Sequence, residues 1–152
     1  MKKITFLLTL LFIGSMVYAQ QKYEYKVITS VESVVPMGMG RSRIIDTKEK
    51  VNAENYTTAR TDGKKSAQKN VKRANVKVNN FDETKLLNFY SGVGINFQNI
   101  ASNDAVISAK INKTISEGWE LAFVTSGVES DAGRQDGKGI FITRYIFRRA
   151  VK

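Results

Sequence analysis

Between residues 102 and 121, Ile107, Ile111 and Ile115 recur every fourth position with Val106 beside them, while Lys110, Asn112 and Lys113 fall on the wetter side. Apolar residues at that spacing share one face of an α-helix, so the pattern predicts an amphipathic helix of about three or four turns. Ser102 or Asn103 is placed to cap its first free amides, and Asp104 suits the positive end of the helix dipole. Gly118 can take the left-handed conformation that stops the helix, and Trp119 then begins a strand. The helix is thus delivered directly into a sheet, with Ile107, Ile111, Ile115, Gly118 and Trp119 as its structural residues.

Period two takes over elsewhere. Tyr23, Tyr25, Val27, Thr29, Val31, Ser33 and Val35 share one parity and Glu24, Lys26, Ser30 and Glu32 the other, which predicts a strand with one buried face. The only proline, Pro36, stands with Gly38 and Gly40 in a reversal, and residues 41–46 return as a second strand. Near the end, Trp119, Leu121 and Phe123 alternate with Glu120 and Ala122, and Phe141, Tyr145 and Phe147 alternate with Ile142, Arg144 and Arg148. The polar stretch 129–138, which contains Asp136-Gly137, joins these two runs into a long β-hairpin.

The middle of the chain is different. From residue 47 to 75 it is rich in Lys, Asn, Thr, Ala and Asp, too polar to order strongly, and is read as a mobile basic loop at 61–70 between weak strands at 56–60 and 71–78. Residues 81–90 are expected to form a short helix capped by Asn80 with Leu86, Leu87 and Tyr90 inward, and 91–97 an apolar connector. The expected architecture is α+β: a small antiparallel sheet with one main helix packed on one face, a short second helix and the mobile basic loop.

The first residues add a destination. Lys2 and Lys3 precede the apolar run 4–13, Gly14-Ser15 breaks it, and Val17-Tyr18-Ala19 supplies residues that signal peptidase accepts. Residues 1–19 are read as a secretory signal peptide cut before Gln20, because the run is shorter than the roughly 20 residues a spanning helix needs. The expectation is a single domain over residues 20–152, exported to the periplasm or beyond, with no membrane span once the leader is removed. The chain has no cysteine, so its core carries its stability without disulfides.

Three blocks, Tyr23-Glu24-Tyr25-Lys26-Val27, Glu117-Gly118-Trp119-Glu120-Leu121 and Tyr145-Ile146-Phe147-Arg148-Arg149, together resemble a small bacterial domain family of unknown function. Its members run from a YEYKV strand through a helix to EGWEL and a closing strand of aromatic and basic residues. The resemblance implies a small antiparallel sheet with a helix on one face and no catalytic residues. The long span 30–101 and the leader have no counterpart in the short members of that family.

Composition then narrows the chemistry. With no histidine and no cysteine, imidazole bases, thiol nucleophiles and zinc sites of the usual His/Cys kind are excluded, and no cofactor is implied. Ser66 and Lys69 match the S-x-x-K spacing of serine acylases but lie in the most polar stretch without a companion K-T-G element. Glu129, Asp131 and Asp136 could gather around calcium, and Asp131 with Asp136 could serve a small hydrolase or lyase, but Asp-Gly is also what a hairpin turn uses.

The remaining lead is charge. The chain carries a formal net charge of +10. Lys64, Lys65, Lys69, Lys72 and Arg73, with Arg41, Arg43 and Lys77, crowd the middle, and Arg144, Arg148, Arg149 and Lys152 crowd the end. Such a field attracts polyanions. The first expectation is a non-catalytic envelope module that contacts an anionic polymer, a lipid head group or an acidic protein, with no specific nucleic-acid recognition. A subunit role in a larger envelope assembly, resting on Met37, Met39 and the apolar hairpin, is the other non-enzymatic reading.

Overall fold

The computed structural model describes residues 21–35, 42–129 and 139–151. A five-stranded antiparallel sheet dominates it. The strands are β1 (Tyr23–Ser33), β2 (Arg43–Thr47), β3 (Phe81–Lys85), β6 (Glu120–Glu129) and β7 (Ile140–Ala150), in the spatial order β3-β2-β1-β7-β6. A separate two-stranded ribbon pairs β4 (Tyr90–Ser91) with β5 (Gly94–Ile95). A one-turn helix α1 (Arg73–Val76) lies between β2 and β3, and the main helix α2 (Phe97–Ser116) covers one face of the sheet. Among the described residues no helix is long and apolar enough to cross a membrane.

Helix α2 spans about 30 Å at 1.5 Å per residue and begins earlier than the periodicity indicates. Its cap is Asn96, whose Oδ1 accepts the Asn99 amide at 3.1 Å; Ser102 and Asn103, expected as caps, lie inside it. The stop falls where expected. Gly118 has φ +87°, its amide donates to the Ile115 carbonyl at 2.9 Å, and the Trp119 amide reaches the Thr114 carbonyl at 3.4 Å. This pair of crossed bonds satisfies carbonyls that the last turn leaves free.

The core among the described residues is Ile28, Ile44, Leu86 and Phe147, with Val106, Ile107, Ile111, Trp119, Leu121 and Tyr145 packed against it. Ile107 and Ile111 take the predicted inward places, whereas Ile115 is 47% exposed and lies outside the helix–sheet contact. Trp119 packs partly buried against the core and carries the Arg149 guanidinium 4.3 Å above its ring.

The buried side of β1 is now defined, and three expectations are corrected. In β1 it is the even residues Ile28, Ser30 and Glu32 that lie under the helix, while Tyr23, Tyr25 and Val27 are exposed. Residues 81–85 form β3 because their backbone groups pair with β2, from Arg43 with Lys85 to Thr47 with Phe81, and not the expected short helix. The weak strands at 56–60 and 71–78 are absent; 3₁₀ turns at Ala53–Tyr56 and Ala67–Asn70 and helix α1 stand there instead. In β6 a bulge between Leu121 and Phe123 also breaks the alternation, so Leu121 faces the helix and Phe123 the opposite side.

Candidate functional site

The chain leaves the sheet at Thr47 and returns at Phe81, its register partner, so everything between is a closed excursion at the β2–β3 end. Its base is tied. The Lys48 amide donates to the Asn80 carbonyl at 3.0 Å, and Glu49 Oε1 accepts the amides of Asn79 and Asn80 at 2.9 and 2.6 Å. Its two limbs are joined by Gln68, whose Nε2 donates to the Tyr56 carbonyl at 3.1 Å and to Thr58 Oγ1 at 2.9 Å.

At the centre Gly63 adopts φ +67°, which lets Asp62 Oδ1 accept the amides of both Lys64 and Lys65 at 3.0 Å. Those bonds hold the Asp62 carboxyl below its ordinary pKa. Ser66 Oγ accepts the Gln68 amide at 3.3 Å and caps the next turn, which gives the serine of the S-x-x-K match a structural task.

This arrangement has an electrostatic result. Residues 48–80 contain nine Lys or Arg against the three acids Glu49, Glu54 and Asp62. Two of those acids direct a carboxylate oxygen to backbone amides. Lys64, Lys65, Lys69, Lys72 and Arg73 are all exposed, and among the described residues none of the five makes an ion pair.

The basic residues near the end of the chain are arranged otherwise. Arg148 holds Glu120 with bonds of 2.9 and 3.0 Å, and Arg149 holds Glu24 at 2.9 and 2.6 Å. Arg43 is likewise paired, 2.6 Å from Glu83. Arg144, exposed on β7, makes no ion pair among the described residues, but the densest group of uncompensated cations is on the excursion. Arg41, Lys152, Met37, Met39, Asp131 and Asp136 lie outside the described residues, so the proposed calcium and carboxylate groupings are represented only by Glu129. Among the described residues no three Asp, Glu, His or Cys side chains gather as a metal cage would need.

Two buried polar groups under α2 escaped the sequence reading. Asp46, whose side chain is only 3% exposed, meets Lys110 Nζ at 2.7 Å, Lys26 Nζ at 2.9 Å and Lys48 Nζ at 3.8 Å. Burial pushes its carboxyl pKa up, but the bonds from Lys110 and Lys26 outweigh it and leave the group below its usual value. At the other end of the interface Glu32, among the described residues, receives only the Asn103 side-chain amide, at 2.8 Å. There burial wins: the Glu32 carboxyl is raised, with Asn103 drawing it back and Asp104 adding to the rise.

Spacing could not have revealed either group, because the partners are brought together only when β1, β2 and α2 pack. No family model, curated protein or solved structure matches the chain.

Proposed function

We propose that this chain is an exported, non-catalytic binding module of the bacterial envelope that holds an anionic partner against the excursion between β2 and β3. The observation that carries the reading is the set Lys64, Lys65, Lys69, Lys72 and Arg73, exposed together and without ion pairs among the described residues, while the neighbouring Glu49 and Asp62 accept backbone amides. Lysine ammonium groups act as mobile point charges and suit repeated phosphate or sulfate groups better than a single planar carboxylate. A phosphate-bearing envelope polymer or lipid head group is thus the favoured ligand chemistry. The paired arginines of β7 are a poorer landing place, since their charge is already met.

Retention on immobilised heparin or lipopolysaccharide tests this. Changing all five residues to Ser should sharply reduce retention, and added salt should weaken the parent protein, as screening acts over about 8 Å near physiological ionic strength. Thermal melting should be little changed, because exposed substitutions usually alter stability by about half a kcal/mol or less each. Equal retention of parent and variant at low salt would remove the proposal. Export has its own check: the intact mass of protein from the envelope fraction should lack residues 1–19, and the full-length mass there would contradict cleavage.

A further inference from the structure

The sheet has a second face, and the most apolar row of the chain lies on it. Register places Phe81 beside Thr47, Val27 beside Ile146 and Ile146 beside Phe123, while Ile28 beside Asp46 puts Thr47 next to Val27. The row Phe81–Thr47–Val27–Ile146–Phe123 thus crosses all five strands, about 19 Å at the usual spacing between strands. Tyr25 stands immediately beside it. The exposures are large: 67% for Phe123, 60% for Tyr25, 43% for Phe81, 41% for Val27 and 40% for Tyr23. No described element is packed over them.

We infer that this face is the docking surface for a second copy of the same chain, stacked sheet against sheet across a two-fold axis. Area is the first argument. Taking about 200 Å² for a whole aromatic side chain, the exposed fractions of Phe123, Tyr25, Phe81 and Tyr23 amount to about 400 Å² of apolar surface, to which Val27 and Ile146 add. A standard interface buries about 800 Å² per partner, a little over half of it apolar, so the row matches what one partner must contribute.

Charge is the second argument. The chain as a whole is +10, so two copies repel over most of their surfaces. The rim of this face is less charged: Arg148 is bound to Glu120 and Arg43 to Glu83, which leaves Arg144, exposed beside Ile146 and without an ion pair among the described residues, as the lone cation next to the row on β7. An identical face finds its own apolar row and the same paired charges, the self-complementarity an isologous contact requires. Two twisted sheets stack face to face about 10 Å apart, and α2 on each outer side leaves that approach open. The result is a four-layer helix–sheet–sheet–helix dimer.

Sedimentation equilibrium on protein purified from cells expressing the full chain tests the inference. The parent should pass from monomer to dimer with a dissociation constant in the micromolar range, and Phe123→Glu and Tyr25→Glu should each raise it by about tenfold or more, as a charge buried in a desolvated contact does. Val124→Glu lies on the opposite side of the same strand and should leave the constant unchanged, as should the five-fold Ser variant of the excursion. The latter separates this inference from the anion-binding reading. A parent that stays monomeric to about 200 μM, two decades above a low-micromolar constant, overturns the inference. So does dissociation by Val124→Glu but not by Phe123→Glu, which would mean strand-edge pairing. Native mass spectra of single chains carrying a lipid or peptide that Phe123→Glu releases would assign the face to that ligand instead.

Discussion

Asn103 is 1% exposed in the middle of α2, and its side-chain amide makes three bonds that cross between elements. Oδ1 accepts the Leu87 amide at 2.7 Å, while Nδ2 donates to the Leu87 carbonyl at 2.7 Å and to Glu32 Oε1 at 2.8 Å. Asn103→Leu keeps the number and branching of the side-chain heavy atoms but leaves three polar groups without these partners. A buried group left unsatisfied costs about 1–3 kcal/mol, and Leu87 lies close enough to water to take the lower end, so the total is about 3 kcal/mol. Against the 5–15 kcal/mol typical of a domain this is a large fraction. In urea, where the slope is about 1–3 kcal/mol per molar, the unfolding midpoint should fall by roughly 1–3 M. Part of the loss should also depend on pH: once Glu32 is protonated it no longer needs a donor for its charge, so the penalty should shrink as pH falls toward 4.5, its ordinary value. A midpoint shift within experimental error at neutral pH would refute the clamp assigned to Asn103.

Other consequences follow from the same packing. Glu32 has a raised folded pKa, so the stability its proton confers is complete below 4.5 and is lost as pH rises through the folded value; Glu32→Gln should therefore stabilise the protein at pH 7 and converge with the parent below 4.5 in urea titrations. Asp46 is the reverse case, its stabilisation present above 3.8 and lost as pH falls through the lowered folded value. Asp46→Asn should destabilise by about 3–5 kcal/mol at neutral pH, because Lys26 and Lys110 lose their buried counter-charge, and should lack that acid limb; an unchanged acid limb would disprove the role of Asp46. At Gly118 an added Cβ meets nothing closer than Arg149 Cδ at 3.8 Å, so the cost of Gly118→Val is the left-handed backbone alone, about 1–2 kcal/mol. Chemical denaturation should show that loss, with Gly118→Asn milder, and equal midpoints for all three would contradict it.

Local order explains which parts of this fold can be read from residues alone. The Ile107–Ile111 spacing and the Gly118 stop act within one helix, and both stand in the structure. The alternation of β1 is also visible, but a period of two does not say which side a helix will choose. The choice went against hydropathy because Lys26 and Glu32 bring their own partners, Asp46 with Lys110 and Asn103, from distant segments. Tyr25 and Val27 were consequently left on the uncovered face. Residues 81–85 offered a helix-like pattern behind Asn80, and only pairing with β2 decided for a strand. The candidate site was legible as charge, since nine cations in residues 48–80 are plain in the sequence. Its acids were not, because the amides that occupy Glu49 and Asp62 are set by the turn geometry.

Anion contact at the excursion between β2 and β3 is a proposal that can be mapped directly. Titration of ¹⁵N-labelled protein with a phosphate- or sulfate-bearing polymer, followed by amide chemical shifts, locates the contact residue by residue. The largest changes should fall at Lys64, Lys65, Lys69, Lys72 and Arg73 and be reversed by salt, with β1 and β7 nearly still. Changes concentrated on Tyr25, Val27 and Ile146, or spread evenly over the molecule, would contradict it.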